Sequence, residues 1–276
     1  MTRLRLAALL ATLLTAAAAP AAQAANPCPQ AFDILRALYP GAEAPAPDGR
    51  VRLGDGHTVA PISASASDST PAVVCKVWPA DESLLLAAVP LLEDVPESND
   101  SRAGDLGVYV LDSATLKVRH SLRMTGLLSQ DAIRLNALTL DTARYTVAGK
   151  RAFGVRIARS NTSQPNPMQQ TSLRLFLPEG DTLRLVLDGV AVASFSGEWD
   201  TQCEGEFIRQ RMTLAMAGRN MEGTDTVEET RAEMQDGKCV ESVVKRERNR
   251  YTFPLEDGQF LIPITAVAQD SPLDGG

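Results

Sequence analysis

Ten consecutive residues, Gly197-Glu198-Trp199-Asp200-Thr201-Gln202-Cys203-Glu204-Gly205-Glu206, carry the densest set of functional side chains in the sequence. The carboxylates of Glu198, Asp200, Glu204 and Glu206 have the chemistry to hold a cation or to act as an acid and base pair, and the Trp199 indole offers a face to a sugar ring. Their spacing matches no metal motif. The same composition also describes a solvated turn whose Trp199 packs on a sheet, and this plainer reading outweighs catalysis. A second stretch, Ser160 to Ser172, runs without an apolar cluster and presents Asn161, Gln164 and Asn166 along with two prolines two residues apart. Long polar loops on a rigid β frame are where binding residues are commonly placed, although a tolerated surface insertion would look the same.

Other chemistries lack their parts. His57 and His120 are the only imidazoles, no G-x-S-x-G is present, and the four cysteines are expected to be oxidised. Nucleophilic catalysis and zinc chemistry therefore have no support in the sequence. The acidic run Glu93 to Asp105 lacks the ligand order of a calcium loop. We expect no cofactor and no metal.

The elements that must position these residues are strands. Leu173, Leu175 and Leu177 alternate with Arg174 and Phe176, and the alternation resumes at Leu183, Leu185 and Leu187 after Pro178-Glu179-Gly180-Asp181. Asp188-Gly189 then stands between two apolar runs as a two-residue turn signal, so Val190 and Val192 are expected on a third strand. Further apolar runs separated by turn chemistry lie at Ala72 to Trp78, Leu84 to Leu92, Leu106 to Leu111, Leu116 to Arg123, Ile133 to Leu140, Ala152 to Ala158 and Phe207 to Ala217. The charged segment Thr224 to Tyr251 fits a long ribbon around Asp236-Gly237, with a helix as the competing reading. This pattern predicts an all-β class: an antiparallel meander, either small and β-propeller-like or a curved β-sandwich. One short helix is expected at Pro29 to Tyr39, stopped by Pro40-Gly41.

The address is extracytoplasmic. Arg3 and Arg5, the apolar run Leu6 to Ala19 and Ala22-Gln23-Ala24 have the order of a cleavable export signal over residues 1–24. Residues 25–70 then form a helix and an extended segment, and 71–276 the all-β domain. Without Arg3 and Arg5 the formal net charge moves from −7 to −9, which disfavours nucleic acid. No later stretch is long and apolar enough to span a bilayer as a helix. Cys28, Cys75, Cys203 and Cys239 behind an export signal imply two disulfides; of three connectivities we favour Cys28 with Cys75 and Cys203 with Cys239. The function expected is that of a periplasmic or secreted, β-rich, non-catalytic binding or interaction protein, its partner an envelope protein or saccharide. The alternatives are an envelope polysaccharide hydrolase using carboxylates of the Trp199 loop, or an envelope inhibitor or structural protein.

Overall fold

The structure is a computed structural model that describes residues 28–63, 71–95 and 101–270. The expected export signal lies outside the described residues, as do 64–70 and the centre of the Glu93 to Asp105 connection. Strands account for 65% of the structure and helix for 5%, which settles the all-β class. The helix α1 spans Ala31–Leu38. The first strands are β1 (Arg50–Arg52), β2 (Thr58–Pro61), β3 (Val74–Trp78), β4 (Asp81–Glu93), β5 (Gly104–Asp112) and β6 (Val118–Met124). A second run contains β7 (Ile133–Val147), β8 (Lys150–Asn161), β9 (Met168–Glu179), β10 (Thr182–Trp199), β11 (Gly205–Ala217), β12 (Asn220–Gln235) and β13 (Lys238–Phe253). A small hairpin, β14 (Leu255–Glu256) with β15 (Gln259–Phe260), and the single turn Ile264–Ala266 follow.

Tight turns make sequence neighbours into sheet neighbours. Strands β7 to β13 form one antiparallel meander, and β4 to β6 another, with β3 and β2 both pairing β4 and β1 pairing β2. A single parallel pair, Ser121 opposite Thr182, connects β6 to β10, so the whole is one large mixed sheet that branches at β10 and does not close. The ambiguous charged segment is strand throughout: β12 and β13 form a ribbon joined at Asp236-Gly237, both with positive φ (48° and 74°), the geometry of a two-residue hairpin turn.

Asp188-Gly189 does not turn the chain. It lies inside the 18-residue β10, where Asp188 is opposite Arg174 and Val190 opposite Leu173. Gly189, at φ +81°, is the additional residue of a β-bulge, so the expected third strand is the second half of β10. Of the two residues expected at positive φ only Gly189 has it; Asp188 stays in the ladder, ion-paired with the Arg174 Nε (2.8 Å). The polar insertion also shortens. Residues 168–172 belong to β9, leaving a six-residue loop, 162–167.

Three apolar clusters hold the layers. Trp78, Leu86, Val108, Phe153, Val155 and Phe176 fill the space between the β3–β6 strands and β7–β9. On the other side of β9, Leu173, Leu175, Leu177, Val190, Met212 and Phe253 make a second interior. From Leu173 to Leu177 strand β9 is thus buried on both faces, and there both phases of its alternation are apolar except Arg174. The third cluster packs Ala31, Ile34 and Leu35 of α1 against Leu85, Ala87 and Val89 of β4. The pairs Cys28–Cys75 and Cys203–Cys239 are disulfide-bonded, with Cα separations of 4.9 and 5.4 Å. Among the described residues no helix is long and apolar enough to cross a membrane.

Candidate functional site

The two stretches singled out by composition meet. The Trp199 backbone N–H donates to the Pro165 carbonyl (3.0 Å), that of Gly197 to Pro167 (3.2 Å), and the Trp199 indole N–H to the Gln164 carbonyl. Asn161 stitches the shorter loop from below: its amide NH2 donates to the Asn166 carbonyl (2.8 Å) and its Oδ1 accepts from the Met168 N–H (2.9 Å). Asn161 and Gln164 therefore act through loop geometry, and Asn166 is the member that faces a groove.

That groove has a volume of about 1010 Å³ and lies along the ends of β10, β11 and β12. Glu198, Glu206, Glu229, Arg231, Ile208 and Met168 contribute to its walls together with Asn166 and Glu204. Successive side chains of a strand point to opposite faces. Glu198 and Glu206 are register partners on the groove face, and Glu206 is paired with Arg231 (2.6 Å). Trp199 points to the other face. The expected arrangement of an indole beside the loop's carboxylates is thus divided by the pleat of the sheet.

Asp200 has a structural task. Its Oδ1 accepts the backbone N–H groups of Cys203 (2.7 Å) and Gln202 (2.8 Å), while its own N–H donates to the Glu204 carbonyl (2.8 Å). The Cys203 and then the Gln202 N–H hold this carboxyl below the usual aspartate range, so it stays ionised as a turn anchor. The Cys203–Cys239 bond ties the turn to the start of β13.

On the Trp199 face stands a feature the sequence analysis missed. Phe195 and Trp199 of β10 flank Phe207 of β11, with ring centroids 5.8 and 6.3 Å apart. The Arg209 guanidinium lies 4.9 Å from the Phe195 centroid and donates to Glu241 (2.7 Å) and Thr230 (3.2 Å). Two glycines make room: a Cβ on Gly197 would come within 2.3 Å of the Phe207 ring, and one on Gly205 within 2.3 Å of the Trp199 Cβ. The signal was present as Phe195-x-Gly197-x-Trp199 and Gly205-x-Phe207-x-Arg209, two period-two runs whose glycines oppose rings across the ladder. All three aromatic side chains are half-buried, so part of each ring remains in water.

No family model, no curated protein and no solved structure matches this chain. The site has to be judged on its own chemistry. Among the described residues no three His, Cys, Asp or Glu side chains gather as cation ligands. His57 sits in the β1–β2 connection and His120 on β6 opposite Val110; neither lines the groove. What the arrangement offers is a row of three rings with a fixed guanidinium on one face, and an open groove of carboxylates, an arginine and an amide on the other.

Proposed function

We propose that this chain is an extracytoplasmic, non-catalytic binding protein that holds an envelope saccharide on the distal end of β10 and β11. One observation carries the reading: the row Phe195–Phe207–Trp199, accommodated by Gly197 and Gly205, sits where both polar loops converge. Flat apolar rings with hydrogen-bonding groups at their edges suit the alternating apolar faces and hydroxyl rims of a sugar chain, and Arg209 and Glu241 supply those groups. Export to an oxidising compartment is part of the proposal, and two disulfides are compatible with it. In the same reading the two meanders, packed across the Trp78–Phe153 interior, are the layers of a curved sandwich rather than propeller blades.

The test is cosedimentation of the purified full chain with insoluble cell-wall glycan. The parent protein should pellet with the glycan, and Trp199→Ala and Phe207→Ala should each remain in the supernatant while keeping the parent circular dichroism. Equal pelleting of all three would end the proposal.

A second reading, glycan hydrolysis, is favoured by one observation: Glu198 and Glu206 are directly opposite in register on one face, the pairing of two carboxylates that glycosidase chemistry uses. Against it, both are exposed and Glu206 is engaged by Arg231, whereas a general acid at neutral pH needs an environment that disfavours its charge. Release of new reducing ends from cell-wall glycan, abolished by Glu198→Gln, would establish this second reading in place of the first.

A further inference from the structure

A second cavity lies between the two meanders and reaches Met168, which also lines the carboxylate groove. Strands β6 and β10 share only the pair Ser121 opposite Thr182, after which each continues with its other neighbour, β6 with β5 and β10 with β9. The gap is a cleft of about 840 Å³, within the roughly 300–1,000 Å³ of small-molecule sites. Its walls are apolar: Leu122 and Met124 on one side, Leu183 and Leu185 on the other, Leu127 and Ile133 between. Leu122, Met124, Leu127 and Leu185 extend the main interior yet are only partly covered.

Polar groups also line the cleft. Arg159 of β8 lines it with a side chain only 10% exposed. It donates to the Leu127 and Ser129 carbonyls and to Asp270, which uses three of its five N–H groups. Gln130, 8% exposed, accepts the Leu135 N–H at its side-chain oxygen (3.1 Å), which turns its NH2 into a further donor. Asp270 is shared with the fully buried Arg174, so one carboxylate serves two guanidinium groups at this point, while Arg174 has Asp188 as well. The donors left over at this point are two N–H groups of Arg159 and the Gln130 NH2, and the Asp131 carboxylate lines the same cleft.

We propose that this cleft binds a single-chain fatty carboxylate, the hydrocarbon along Leu122, Met124, Leu183 and Leu185 and the carboxylate on Arg159 and Gln130. Apolar walls of this length gain from each methylene taken out of water, and a guanidinium with free donors matches an anionic, acceptor-only group better than a hydroxyl or an ester. The site is separate from the saccharide surface and stands or falls independently of it.

The experiment is calorimetric titration of delipidated full-length protein with octanoate, decanoate and dodecanoate, and with methyl dodecanoate. Expected are one site per chain, affinity rising about fourfold per methylene, and at least tenfold weaker binding of the ester. Met124→Glu places a charge in the half-buried wall and should abolish binding with an unchanged melting temperature. Arg159→Lys should narrow the preference for carboxylate over ester. Absence of saturable binding, or equal binding by Met124→Glu, would overturn the proposal. Equal affinity for the ester would overturn the assignment of the anionic end to Arg159 and Gln130.

Discussion

Replacing Asp270 by alanine should be among the most damaging single changes outside the apolar interior. Asp270 lies near the end of the described chain, but its side chain is only 9% exposed and receives Arg159 (3.4 Å), Arg174 (3.3 Å) and the Ser172 hydroxyl (2.9 Å). Removing one member of a buried ion pair costs about 3–5 kcal/mol, because the remaining charge stays desolvated. Arg174 retains Asp188 and its bond to the Asp270 carbonyl, so the lower end, about 3 kcal/mol, is expected. For a chain of this size that corresponds to a drop of roughly 6–12 °C in Tm. Urea unfolding followed by circular dichroism and by tryptophan emission measures it. Glu229→Ala, which breaks the exposed pair with Lys245, is the control and should change stability by less than about 1 kcal/mol. An Asp270→Ala variant no less stable than this control would refute the network argument.

Other expectations follow from covalent structure and burial. Denatured, unreduced protein should show no reactive thiol, since the described cysteines are all paired; two or more titratable thiols per chain would contradict this. Opening the Cys203–Cys239 bond by Cys239→Ser releases a 36-residue separation, and the loop-entropy estimate is a loss of about 3.8 kcal/mol by urea unfolding. Asp225 is 1% exposed, and burial pushes its carboxyl above the usual aspartate range despite hydrogen bonds from Gln210 and Asn249. Above that raised pKa the folded state carries a charge the unfolded chain bears more easily, so the group destabilises at neutral pH and the penalty fades as pH falls toward the unfolded value. Asp225→Asn, which keeps an acceptor for the Gln210 amide (3.0 Å), should be more stable than the parent at pH 7 and less distinguishable from it near pH 4. The same difference at both pH values would show that the substitution acts through packing alone.

Much of the frame was legible because burial and backbone chemistry repeat locally. The alternation along Leu173 to Leu187 and the turn residues at 180–181 and 236–237 are seen as strands and hairpins where they were expected. Asp188-Gly189 was not legible as a bulge, because a dipeptide that favours positive φ looks the same in a turn and in a bulge; the difference lies in Arg174, fourteen residues away in sequence. The Trp199 stretch and the loop of Asn161 and Gln164 meet in space, but the pleat that sends Trp199 one way and Glu198 the other follows from strand extent. Local reading took residues 197–199 and 205–206 as loop, whereas they end β10 and begin β11. The cleft at Arg159 depends on β6 meeting β10 across some sixty residues of chain, a contact with no local signature.

The central claim is that the ring row beside the convergent loops is the binding surface. Trp199 is half-buried and within reach of a ligand on Phe207, whereas Trp78 is 5% exposed against Phe153 and serves as the silent reference. Tryptophan emission should therefore be measured while the full chain is titrated with soluble oligosaccharides released from cell-wall glycan. The account predicts a saturable change in emission and in iodide quenching that is lost in Trp199→Phe, with the Trp78 component unaltered. Binding detected by calorimetry on the same samples with no change in Trp199 emission would contradict it.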